Sequence, residues 1–183
     1  MSLTIKHLEQ LQEILQEQQL DYQLELEDGK IIVIGPSDVY SSELGIRLSW
    51  LLMNWVAPRH LGRVFDSSGG FILPNSDLKA PDVSFVLSER LRPSPRYFAQ
   101  LVPDLVVEIK SQSDRIKPLQ EIQLFLALGA QVGILIHPEQ LTVSVYRLNT
   151  EELVLTNADA LKIPELLPGW EIPVAEIWPP VFE

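Results

Sequence analysis

The chain has 183 residues, 14 of them basic and 25 acidic, so its net charge is −11 with neutral histidines, and 46% of it is apolar. Cysteine is absent, which excludes a disulfide scaffold, a zinc ribbon, an iron–sulfur site and a thiol nucleophile. The apolar content argues against wholesale disorder, the length suits one domain of roughly 150 residues or slightly more, and the acidity argues against a protein that coats DNA non-specifically.

In chain order, residues 5–19 place Leu8, Leu11, Ile14 and Leu15 at helical spacing and predict an amphipathic helix. The glutamine-rich sequence around it lacks the apolar core of a secretory signal. No apolar run exceeds about 10 residues, too short to span a bilayer, so a cytoplasmic protein without a membrane is expected. Tyr22, Leu24 and Leu26 alternate with polar residues, and Asp28-Gly29 separates them from Ile31-Ile32-Val33-Ile34, a hairpin signal. Residues 39–56 predict a long helix with Leu44, Leu48, Leu51, Leu52 and Trp55 on one side, Ser37 or Asp38 as its cap, and Pro58 as its end.

Short strands are expected at 62–66, 70–73 and 82–87, then an Arg- and Pro-rich loop, then a short helix around 96–101. Residues 104–110, DLVVEIK, read as a strand, and 117–128 as a helix closed by Gly129. Residues 132–137 and 141–147 form a second hairpin, followed by Val154-Leu155, a Pro-Gly turn at 168–169 and a terminal helix or coil near 174–178. No linker divides the chain. One domain over 1–183 is expected, with an N-terminal helix (1–20), a core (21–150) and a C-terminal extension (151–183), in an α/β or α+β class with a mixed sheet.

Charge inside the strand DLVVEIK has no packing rationale. Residues two apart share a strand face, so Val106, Glu108 and Lys110 lie on one side and Leu105, Val107 and Ile109 on the other. A carboxylate in such a strand is costly unless paired or metal-bound, and the bland alternative is an edge-strand ion pair with a solvated end. Asp82, after Pro81, opens another strand, and a hairpin or crossover can bring it beside Glu108. Two carboxylates aimed at one point suit Mg²⁺ or Mn²⁺, and a neighbouring lysine can hold a water and stabilise an anionic transition state. Glu43, on the long helix, is a candidate outer carboxylate.

Pro81-Asp82 followed by Glu108-Ile109-Lys110 resembles the signature of the PD-(D/E)XK nuclease superfamily. PDVSFV, PDLVVEIKSQSD, LGAQVGILIHP and VSVYR narrow the resemblance to the Uma-two family of restriction endonucleases, over residues 24–170. This implies a restriction-endonuclease-like fold, a central mixed sheet flanked by helices. It also implies metal ligation by Asp82, Glu108 and the Ile109 carbonyl, water orientation by Lys110, and Glu43 as the helix carboxylate. Relatives often carry a lysine near where Glu121 stands, and an aspartate or asparagine where His137 stands.

Other candidates read more plainly. Arg90, Arg92 and Arg96, and Arg115 with Lys117, are solvated loop residues or phosphate contacts, and Ser113 or Asp114 caps the following helix. Residues 66–70 form a turn. His7, His60 and His137 lack metal-ligand spacing. Trp50 and Trp55 suit a core or a dimer contact, and no GxSxG elbow is present. The expected function is Mg²⁺- or Mn²⁺-dependent hydrolysis of DNA by a protein that pairs as a homodimer. The alternatives are a catalytically silent nuclease-fold module that binds nucleic acid or protein, and hydrolysis of a small phosphoester.

Overall fold

A computed structural model describes residues 2–111 and 118–182. Helix α1 (Ile5–Glu17) leads into β1 (Gln23–Glu27) and β2 (Lys30–Ile34), then the long helix α2 (Val39–Arg59). Strands β3 (Gly62–Asp66), β4 (Phe71–Ile72), β5 (Leu78–Lys79), β6 (Val83–Leu87) and β7 (Leu105–Ile109) follow. After α3 (Pro118–Leu128) come β8 (Val132–His137), β9 (Thr142–Tyr146), β10 (Leu153–Leu155), β11 (Ala160–Lys162) and β12 (Glu171–Pro173), then a 3₁₀ turn, Val174–Glu176.

The central sheet runs β10-β9-β8-β7-β6-β3. Only β7 and β8 pair in parallel, with α3 between them in sequence, so the sheet is mixed, as expected. Strand alternation sorts its two faces. Leu105, Val107 and Ile109 pack with Leu44, Leu48, Leu52 and Val56 of α2. Val106 and Leu135 pack with Ile122, Phe125 and Leu126 of α3. Gly133 lets α3 come this close, because a Cβ there would stand 2.3 Å from Ile122 Cγ2. A second sheet, β2-β1-β5-β4, lays Leu24, Leu26 and Leu78 against Leu8 of α1. Its β1–β2 turn has Asp28 and Gly29 both at positive φ, 48° and 71°, as a two-residue hairpin of this twist requires.

Several boundaries differ from the sequence reading. Pro58 lies inside α2, which runs on to Arg59 and stops where His60 turns left-handed at φ 55°. A proline in the last turn removes one ladder bond and leaves the preceding turns intact. Residues 96–101 form no helix; Ala99 bridges Phe71 in parallel, and its carbonyl accepts from Ile72 N–H at 2.8 Å. Pairing with a sheet edge satisfies backbone groups there and buries Ala99, which outweighs local propensity. In the C-terminal segment, Leu161, Ile163, Leu167 and Trp170 are buried in the same core cluster as the apolar side of α2.

Candidate metal centre

The pairing of Val83 with Val107 sets Asp82, at the head of β6, next to Glu108. The Ile109 amide donates to Asp82 Oδ2 at 2.8 Å, which holds that side chain across the two strands. Strand β7 has neighbours on both sides, and Glu108 is only 8% exposed, so the solvated edge-strand reading does not hold. Among the described residues no hydrogen bond or ion pair reaches the Glu108 carboxylate. Burial pushes its carboxyl well above the ordinary range, the Asp82, Glu121 and Glu25 carboxylates push it further, and Lys79 opposes them.

Lys79 is the residue the sequence reading missed. It is 1% exposed, and its Nζ donates to Glu25 Oε2 at 3.1 Å, Glu27 Oε2 at 2.6 Å and Glu121 Oε1 at 2.8 Å. The register Leu26↔Leu78 explains the first contact, since it sets Glu25 opposite Lys79 on the face away from α1. Burial disfavours the ammonium, but Glu121, Glu25 and these hydrogen bonds more than offset it and hold Lys79 above its usual range. Glu121 is therefore an acceptor for a lysine supplied by β5. The alternation of Leu24 and Leu26 with polar residues gave no sign of this contact.

Lys110 is exposed at the end of β7 and borders a cleft of about 420 Å³ with Asp38, Tyr40, Ser41, Ser111, Pro138 and Glu139. Asp38 caps α2 by accepting from Ser41 N–H at 2.9 Å, and its other oxygen accepts from Ser111 Oγ at 2.7 Å. That bond ties the start of α2 to the end of β7, and a Cβ on Gly45 would touch Ile109 Cδ1 at 3.6 Å. Glu43 lies between these two anchor points, exposed to solvent. His137 ends β8 beside Lys110; burial, then the Lys110 charge, lowers its pKa, and its buried Nδ1 has no partner among the described residues.

The remaining candidates have other contacts. Arg90 pairs with buried Asp104 at 2.6 Å. Arg92 is exposed. Arg96 lines a cavity of about 580 Å³ beside Glu9 and Glu13 of α1. Asp66 accepts from the Ser68 and Gly69 amides of its own turn. His7 Nδ1 accepts from Thr4 N–H at the start of α1, and His60 closes α2. Trp55 packs against the main core with the Arg59 guanidinium over its ring, whereas Trp50 is exposed. Ser113, Asp114, Arg115 and Lys117 lie outside the described residues.

Chemically, the pair Asp82–Glu108 offers hard oxygen donors on neighbouring strands, with Glu108 buried. Mg²⁺ is commonly held by one or two carboxylates, with water and phosphate oxygens completing its shell. No group of three or more His, Asp or Glu among the described residues is placed to hold an ion.

The chain matches the model of the Uma2 family, described as "Putative restriction endonuclease", over residues 7–175. It is also similar to a crystal structure of "a putative nuclease belonging to DUF820" from Anabaena variabilis ATCC 29413. The TM-score is 0.75 and the identity 22%, over 88% of this chain and 94% of that one. That likeness establishes the restriction-endonuclease-like fold. No curated protein matches the chain significantly.

Proposed function

The chain belongs to the Uma2 family, and from that membership and the carboxylate pair we propose that it is a Mg²⁺- or Mn²⁺-dependent endonuclease hydrolysing DNA phosphodiester bonds in the cytoplasm. Asp82 and Glu108 hold the ion, with the Ile109 carbonyl as a third ligand. When bound, the ion polarises the phosphate and acidifies a water. Lys110, two residues beyond Glu108, orients the attacking water and offsets the charge that develops on the phosphate. Glu43 serves as an outer carboxylate. The observation that carries this reading is Glu108, buried beside Asp82 with no hydrogen-bonded partner among the described residues.

The test is plasmid cleavage with Mg²⁺ against EDTA, together with Mn²⁺ titration calorimetry of the wild type and Asp82→Ala. Cleavage and binding that both vanish in the variant are the expected result. A folded wild type that neither cuts DNA nor binds Mn²⁺ overturns the reading.

One observation favours the silent-module alternative. The net charge is −11, and Lys79 and Arg90 are already engaged by carboxylates. Recovery of a nucleic-acid or protein partner without metal-dependent turnover would select it. The exposed stripe Val39, Ile46, Trp50 and Met53 on α2 is the face we assign to pairing of two copies. Sedimentation of Trp50→Glu against the wild type checks that assignment.

A further inference from the structure

The segment leading into Asp82 is braced from both ends. At its start, one Glu25 oxygen accepts from Lys79 Nζ at 3.1 Å, and the other accepts from the Ala80 amide at 3.1 Å. At its end, Asp82 Oδ2 accepts from the Ile109 amide at 2.8 Å. Pro81, between them, has a fixed φ. Lys79 also reaches Glu27 on β1 and Glu121 on α3, so one buried ammonium joins β5, β1 and α3 beside the carboxylate pair.

An ammonium has three N–H donors, and three carboxylates take them at 3.1, 2.6 and 2.8 Å. Lys79 therefore has no donor left for a substrate, which separates its role from that of exposed Lys110. Glu25 needs Lys79 in turn, because without it Glu25, Glu27 and Glu121 would lose the one cation that bridges them among the described residues.

We propose that Lys79 is a positioning residue: through Glu25 and the Ala80 amide it sets the course of residues 79–82 and thereby the placement of the Asp82 carboxylate against Glu108. Its consequence for metal binding rests on the nuclease reading, whereas its consequence for Asp82 does not. The site is thus assembled by a cation from the smaller sheet as well as by the two strands that carry its carboxylates.

The experiment compares full-length wild type, Lys79→Met and Lys79→Arg by amide hydrogen exchange and Mn²⁺ calorimetry. The Ile109 amide reports on Asp82, and the Val143 and Val145 amides of β9 report global opening. In Lys79→Met, Ile109 should exchange about tenfold faster or more relative to the β9 amides. Mn²⁺ affinity should fall about 10- to 100-fold, the usual cost of losing a group that orients a metal ligand, and Lys79→Arg should recover part of both. If Lys79→Met fails to fold, Glu25→Gln keeps the lysine and removes half of the brace, and the same Ile109 shift is expected. Ile109 protection that stays level with the β9 amides overturns the proposal, as does a uniform rise at every amide. Faster Ile109 exchange in a protein whose wild type binds no Mn²⁺ supports the positioning role and refutes the metal reading instead.

Discussion

Replacing Glu108 with glutamine should stabilise the metal-free protein and remove part of its pH dependence. Burial, then the Asp82, Glu121 and Glu25 carboxylates, raises the Glu108 pKa in the folded state. From the ordinary value of 4.5 up to that raised value, the native chain keeps a proton the unfolded chain has lost. Stability therefore falls as pH rises through this window, by about 1.4 kcal/mol per pH unit. For a chain of this size that corresponds to roughly 3 to 6 °C in Tm per unit. Glutamine has the same shape and no proton to lose, so the gap between variant and wild type should widen as pH rises above the ordinary carboxyl range. Other groups contribute slopes of their own, since Glu25 is raised whereas Asp38 and Glu152 are lowered, and the difference between the two proteins reports Glu108 together with the carboxylates it couples to. Mn²⁺ at 100 times its Kd should stabilise the wild type by about 2.7 kcal/mol and leave the variant unchanged. Thermal melts at half-unit pH steps, in EDTA and in Mn²⁺, provide the measurement. Parallel pH curves for the two proteins in EDTA would refute the reasoning.

Three further outcomes are expected. Lys110→Met should leave stability within about 0.5 kcal/mol, because the side chain is exposed, while single-turnover cleavage slows about 100-fold or more. Asp104→Ala should cost about 2 to 3 kcal/mol in urea unfolding, since this buried carboxylate accepts from the Leu87 amide, Arg90 and Gln131. Leu48→Ala should cost about 2 to 5 kcal/mol in the same assay, because Leu48 is 1% exposed where α2 packs on the central sheet.

Much of the architecture was legible because local signals and long-range pairing agree. Asp28-Gly29 sits between two alternating runs, and the turn takes the left-handed conformations those residues favour. The alternation in DLVVEIK put Glu108 on the face opposite Ile109, and the two core clusters divide there. Residues 96–101 misled because an edge of another sheet pairs with them. Strand β5 escaped notice because two residues carry no periodicity. The candidate metal ligands were picked out by motif, but the charges around them were not.

By itself, the order of residues determined the mixed α/β class, the hairpins and the two faces of β7, each written in local spacing, and the motif resemblance supplied the candidates Asp82, Glu108 and Lys110. Tertiary structure alone decided that Glu108 is buried in a central strand, that Lys110 is exposed, and that Lys79 is held by Glu25, Glu27 and Glu121. Those outcomes depend on registers between residues distant in sequence, 24 positions for Val83 with Val107 and 52 for Leu26 with Leu78. Burial, and with it the energy of a charge, is a property of what packs over a residue, which no local pattern specifies.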